Sequence, residues 1–218
     1  MIDLHSHTIL SDGVLLPSEL ARRAMVNGLS ALAITDHVDH SNIDAVVSGL
    51  IKVTDALNKY WDIFLIPGCE ITHVPVEIIG DMVKYARGKG AKVVVAHGES
   101  PVEPVAKGTN RAAIMAGADI VAHPGSITLE DAVLAAEKGV HLEITARKGH
   151  SRTNPHVLEM ARKSGARLVL DTDSHLPDDM MTAEVVDRVF RELGIVGRER
   201  DAILGNSAEI VKKLHQRA

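Results

Sequence analysis

The chain is short of the residues that usually advertise a function. It has a single cysteine, Cys69, in 218 residues, which excludes an internal disulfide framework and is in keeping with a reducing compartment. Aromatic residues make up only 2%, with one Trp, two Phe and two Tyr, so there are few platforms on which single-stranded bases could stack. Runs of Lys or Arg are missing and the formal net charge is −5. Both argue against a general electrostatic grip on nucleic acid. No apolar run approaches the roughly 20 residues needed to cross a bilayer, and no charged-then-apolar leader precedes the first apolar run. The expectation is a cytoplasmic protein with no membrane partner. There is no Gly-rich dinucleotide fingerprint, no Gly-Lys-Ser/Thr phosphate loop, no low-complexity tract and no long linker. With 45% hydrophobic and 24% charged residues, the composition is that of one globular domain over residues 1–218.

Histidine is what the chain has in excess: there are twelve. The first two fall in "MIDLHSHTILSDG", at the end of the first apolar run. Residues two apart on a strand point the same way, so His5 and His7 can aim at one point beyond the strand's carboxyl end, with Ser6 turned away. Two surface histidines in a loop would read the same, and the rest of the chain has to decide between them.

Short β-branched runs alternate with segments of helical period, the pattern of parallel strands joined by crossover helices. Seven strands are expected, over 2–4, 31–35, 64–72, 92–96, 120–122, 140–144 and 167–170. Pro17-Ser18-Glu19 opens a helix that Asn27-Gly28 ends, and Thr128 to Asp131 opens another that Gly139 ends. In "GNSAEIVKKL" an Asn206-to-Glu209 capping pattern precedes an apolar stripe at Ile210, Val211 and Leu214. The predicted fold class is α/β, a (β/α) barrel somewhat shorter than the roughly 250 residues of an eight-unit one, with a doubly wound open sheet as the alternative.

Six of the seven strands deliver a candidate ligand at or after their carboxyl ends. The first gives His5, His7 and Asp12, the second His37 in "AITDH", and the third Glu70 in "PGCEIT". The fourth gives His97 in "AHGES", the fifth His123 in "VAHPG", and the last Asp173 and His175 in "DTDSH". In a parallel barrel those ends share one face, so residues far apart in sequence converge. Imidazole and carboxylate donors without thiolates suit zinc, manganese or iron(II). Nine donors are too many for one ion, and Glu70, the only glutamate among them, could bridge. Cys69, beside Glu70, points to the opposite face and packs behind the site.

The remaining polar residues carry weaker expectations. Asp36 either orients a histidine or caps a helix, and Asp171 has the same status. His40, His73, His141, His150, His156 and His215 lie off the pattern and read as surface or capping residues, with His40 and His73 the first candidates for exceptions. Arg147 and Arg152 in "EITARKGHSR", with Lys148, could hold a phosphate oxyanion, as could Lys107 and Arg111 in "VAKGTNR".

These motifs, in this order and over nearly the whole chain, resemble the PHP family, the polymerase and histidinol phosphatase family of metal-dependent phosphoesterases. The resemblance implies a distorted (β/α)7 TIM-like barrel with two or three divalent ions (zinc, manganese or iron) at its carboxyl face. Carried over by position, His5, His7, Glu70 and Asp173 would hold one ion. Glu70, His97 and His123 would hold a second, and Asp12, His37 and His175 a third. Some relatives have histidine at the position of Asp12. The implied activity is hydrolysis of a small phosphorylated metabolite by metal-activated hydroxide, with Glu70 in the catalytic centre. His175, or Asp12 through water, is the candidate proton donor to the leaving group. The alternatives are a nuclease, nucleotide phosphatase or cyclic phosphodiesterase, for which nucleic acid would be a substrate. A noncatalytic subunit, as in the related protein component of ribonuclease P, would be expected to lose ligands and gain basic charge.

Overall fold

The computed structural model describes residues 1–215. Its parallel strands are β1 (Ile2–Asp3), β2 (Ala31–Ile34), β3 (His37–Val38), β4 (Phe64–Ile71), β5 (Val93–His97), β6 (Ile120–Ala122), β7 (His141–Thr145) and β8 (Leu168–Asp171). They run in the order β1-β2-β4-β5-β6-β7-β8, with β3 also on β4. β2 and β3 are two arms of one strand. Ala31 lies opposite Phe64 and His37 opposite Glu70 in an unchanged register, and only Thr35 and Asp36 interrupt it. The result is a nearly closed barrel of seven parallel strands.

The seam between β1 and β8 is where it is distorted. A single bridge joins Ser6 to Ser174, with His7 N–H donating to Ser174 (2.9 Å) and Asp173 N–H to His5 (3.0 Å). Below that bridge two carboxylates replace the ladder. Asp171 accepts from Leu4 N–H at 2.7 Å, and Asp3 accepts from Thr172 N–H at 3.1 Å and from its hydroxyl. Asp171 thus closes the seam, and it neither orients a ligand histidine nor caps a helix.

Strand alternation sorts the core into two layers. Outward residues such as Leu32, Leu65, Cys69, Val94 and Leu142 pack under the helices, so Cys69 lies behind the site as expected. Inward residues Leu4, Ala33, Ile66, Val95, Ile120 and Val169 fill the barrel, and Ile210 and Val211 of α8 (Gly197–His215) join them with Leu214. Burying each such side chain contributes roughly 1.5–3 kcal/mol. α1 (Pro17–Val26) starts on its proline, and α5 (Leu129–Lys138) is capped by the Thr128 hydroxyl, which accepts from Asp131 N–H, as the sequence predicts. The Asn206 cap is corrected: α8 runs through that position, and Asn206 Nδ2 donates to the Leu168 carbonyl at 2.8 Å. A tertiary partner for the amide replaces the cap. Among the described residues no helix is long and apolar enough to cross a membrane.

Candidate metal centre

The inward positions that are apolar low in the barrel become polar at its carboxyl end. Along β5, Val93 and Val95 give way to His97, and along β4, Ile66 gives way to Glu70. All nine ligand-type residues of the sequence pattern meet there. Among these nine, four groups have potential donor atoms within 4.8 Å of one another: His7, Asp12, His37, His175; His5, His123, Asp173; His5, His7, Glu70; and Glu70, His97, His123. His7 thus also joins the outer group, a closeness the motif spacing does not show. A cavity of about 280 Å³, lined by Asp12, His37, His97, Asp173 and His175 among others, opens over them. A larger cavity of about 740 Å³, beside Met25, Trp61 and Phe64, holds none of these groups. Donor chemistry rather than size marks the site.

Tight backbone builds the cluster. His123 (φ 27°) and Asp173 (φ 52°) sit in the left-handed region, which a residue with a Cβ adopts at a cost of about 1–3 kcal/mol. A Cβ on Gly125 would meet the Glu99 carbonyl at 1.9 Å, and one on Gly98 the Ala122 carbonyl at 2.1 Å. Only glycine lets the loops carrying His97 and His123 approach so closely.

The donor set fits divalent cations. His5 Nδ1 donates to Glu143 Oε2 at 2.6 Å, which turns the Nε2 lone pair toward the centre. There it faces His7 Nε2 at 3.0 Å, Glu70 Oε1 at 3.4 Å and Asp173 Oδ1 at 3.6 Å. Both Glu70 oxygens and Asp173 Oδ1 are buried without an aligned hydrogen-bond donor. His37 Nδ1 reaches ion-pair distance of Glu70 Oε2, 2.7 Å, but not hydrogen-bond geometry. Orphaned buried carboxylate oxygens and converging imidazole nitrogens are costly unless a cation satisfies them.

Electrostatics show the same strain. Burial alone would raise Glu70's carboxyl, yet the imidazoles of His5, His37 and His97 hold it well below its usual range. Burial opposes the charged form of His37 too, but Glu70 and Asp12 push it up to about 9. Burial drives His7 down to about 3. Asp12, exposed at the rim, is brought down to about 2 by His175 and His37 against its own partial desolvation. Strongly perturbed titratable groups gathered in one cleft mark a candidate functional site.

The expected anion-binding residues are not brought together. Arg147 lines the cavity, its Nη1 donating to the Asp173 carbonyl at 3.1 Å and lying 2.7 Å from His175 Nδ1. Arg152 and Lys148 turn away into a groove with Arg188. Arg111 pairs with Asp131 at 2.7 Å on the helix surface, and Lys107 is exposed in the loop before α4 (Thr109–Ala116) and does not line the cavity.

Several polar residues depart from their expected places. Asp36 is buried and accepts from Thr8 N–H (2.7 Å), the Thr8 hydroxyl (2.8 Å) and the Ser11 hydroxyl (2.7 Å), so it moulds the loop carrying Asp12 and neither caps a helix nor touches a ring. His141 and His150 are buried rather than on the surface. His150 stacks on His123 with centroids 4.1 Å apart, and His73 lines the cavity. Glu143 was missed by sequence reasoning altogether. Its signal is the polar alternation His141, Glu143, Thr145 on a strand whose other residues are apolar.

The first half of the chain, residues 3–119, matches the family described as the PHP domain. An uncharacterized protein of Methanocaldococcus jannaschii is 41% identical over 97% of this chain and 99% of its own length. A protein of Caldanaerobacter subterraneus named "Probable phosphatase" is 28% identical over 99% of this chain and 91% of its own. Among solved structures, a chain of an archaeal ribonuclease P with mature tRNA superposes with a TM-score of 0.74 at 15% identity, covering 99% of this chain and 92% of that one. The histidinol phosphate phosphatase of Lactococcus lactis, complexed with zinc, L-histidinol and phosphate, gives 0.58 at 16% identity, covering 98% and 93%. At these identities the structures show a shared fold.

Proposed function

The chain belongs to the PHP family, and on that premise we propose that it is a metal-dependent phosphomonoesterase of small phosphorylated metabolites, with residues 1–218 forming one PHP domain. The observation that carries this reading is the convergence of nine imidazole and carboxylate side chains, several with buried unsatisfied donor atoms, under one small cavity.

In this reading His5, His7, Glu70 and Asp173 hold one divalent ion, Glu70, His97 and His123 a second, and Asp12, His37 and His175 a third. Zinc, manganese and iron(II) all suit the donors. Ions held so would supply a hydroxide near neutral pH and offset the charge that builds on a phosphoryl group. The chain's own part is to orient and to neutralise. Glu143 fixes the His5 tautomer, and Arg147, inside the cavity, faces the non-bridging oxygens of a bound phosphate. Asp12 is the more exposed carboxylate at the rim, with His175 Nε2 3.1 Å from its Oδ1; with two ions bound and the third position empty, this pair would be placed to pass a proton to a departing alkoxide, a role that a third ion on the same atoms would remove. A cavity of about 280 Å³ suits a small monoester. The intact donor set and the net charge of −5 weigh against a purely RNA-binding role, despite the fold shared with the ribonuclease P chain.

The test is metal content of untagged protein by elemental analysis, together with hydrolysis of an aryl phosphomonoester and of the matching bis-ester. Two or three ions per chain and monoester turnover, lost in His7→Ala, are expected. Preference for the bis-ester would replace this reading with a phosphodiesterase, and failure to take up zinc, manganese or iron(II) would end it.

A further inference from the structure

One carboxylate at the mouth of the cavity belongs to none of the nine positions. Glu103 lies in the loop between His97 and α4, a stretch with prolines at 101 and 104 on either side of it. The base of that loop is fastened: Glu99 Oε1 accepts from Gly108 N–H (2.9 Å) and Asn110 N–H (3.1 Å), and Glu99 N–H donates to Asn110 Oδ1 (3.0 Å). The tip is not buried, and the Glu103 side chain is 39% exposed. Yet it turns inward. Its Oε2 lies 3.1 Å from His97 Nε2 and 3.1 Å from His73 Nε2, and its Oε1 lies 3.4 Å from His150 Nε2.

His97 ties this carboxylate to the metal centre. The His97 Nδ1 donates to the Gly98 carbonyl at 3.1 Å, so Nε2 is the nitrogen left to bind a cation, and Glu103 is next to that nitrogen. His97 therefore belongs to two donor groups, one with Glu70 and His123 and one with His73 and Glu103. A carboxylate so placed shares the coordination space of any ion on His97. It also lines the cavity that a phosphate must enter.

We propose that Glu103 is a further metal-ligating carboxylate, delivered by the 99–108 loop to the ion held by Glu70, His97 and His123, and that the phosphate of the substrate displaces it. The inference rests on the phosphoesterase reading above and deepens it. His73 and His150, neither of them among the nine, give the displaced carboxylate a place to remain, since both lie within ion-pair distance of it. The loop then acts as an internal competitor. It weakens capture of phosphate, product included, and holds the ion when the cavity is empty. A ligand that must first displace a bound group binds more weakly by the fraction of molecules in which the site is free.

The experiment compares metal-stripped wild type with Glu103→Ala and Glu103→Gln by calorimetry, first titrating Mn²⁺ and then inorganic phosphate into the Mn²⁺-loaded protein. Both variants should fold, because the loop tip is exposed. Glu103→Ala is expected to weaken uptake of one ion by about tenfold, to keep the number of ions at saturation, and to bind phosphate about tenfold more tightly. Glu103→Gln should shift both values in the same direction by less. KM for an aryl monoester should fall with the phosphate constant. An unchanged ion affinity, or a phosphate affinity that stays the same or weakens, overturns the proposal while leaving the metal centre standing. Wild-type protein that takes up no ion overturns both readings together.

Discussion

Along β5, Val93 and Val95 point into an apolar floor, and His97, two residues on, points into a crowd of imidazoles and carboxylates. β4 makes the same change from Ile66 to Glu70, and β8 from Val169 to Asp171 and then Asp173. The floor is closed by Ile210 and Val211 of α8 and is apolar apart from buried His141, which lies opposite Ile120. The upper end carries buried side-chain atoms without partners, His7 Nδ1, Glu70 Oε1 and Oε2, His123 Nδ1 and Asp173 Oδ1 among them, and two ligand-type residues in left-handed backbone. What this contrast teaches is a division of labour within a single interior. Burial in the floor and under the helices supplies the free energy that holds the upper end in an arrangement it would not choose by itself.

If that division holds, the two ends should respond to substitution in different ways. Ile66→Ala opens a void in the floor and should destabilise the fold by about 2–5 kcal/mol, read from denaturant midpoints, while the folded fraction keeps its full number of bound ions. Loss of ions at temperatures where the variant is folded would break the separation. Glu143→Gln tests the other end. The glutamine keeps the shape but cannot accept the His5 Nδ1 proton with a full negative charge, so metal affinity should fall by about 10–100-fold with little change in unfolding midpoint. Glu143→Asp, which keeps the charge on a shorter arm, should recover part of the loss. An unchanged affinity in Glu143→Gln would make this carboxylate a bystander.

The floor and the convergence of the nine imidazole and carboxylate side chains were legible in the sequence for one reason: strand alternation puts residues two apart on one face, and parallel strands put all their carboxyl ends on one side. His5, His7, His97 and His123 could be placed by that logic alone. What escaped it depends on the third dimension. Glu143 stands inside β7, away from any strand end, and only its partner His5, just beyond β1, gives it meaning. His150 is carried by a 3-10 turn at His150–Thr153, which has no periodicity to read. Asp36 resembled an orienting group because it precedes His37, yet its partners, Thr8 and Ser11, lie in another loop. Asn206 offered a local cap that the neighbouring strand outbid. The break between β2 and β3 left no mark, because the register resumes unchanged.

The smallest effect concerns the seam where the two ends meet. Asp171 is buried with Asp3 and Glu143 near it, and desolvation first, then those two charges, push its carboxyl well above the ordinary value. Desolvation likewise raises Asp3 to about 6, although its Thr172 hydrogen bonds pull the other way. A carboxyl whose pKa is raised by folding binds its proton more tightly in the native state. Its stabilising contribution is therefore complete below the unfolded pKa and is lost as pH rises through the folded one. Asp171→Asn keeps an oxygen for Leu4 N–H and removes the ionisation. Relative to wild type, the metal-stripped variant should gain stability progressively as pH rises above the ordinary carboxyl value of about 4. Groups away from the seam, including the raised His37 and the lowered His7, act on both proteins and drop out of the difference, whereas Asp3 and Glu143, which feel the Asp171 charge, contribute to it in the same direction. Parallel stability curves for the two proteins would mean that Asp171 ionises freely, and the seam would then belong with the polar upper end rather than with the floor.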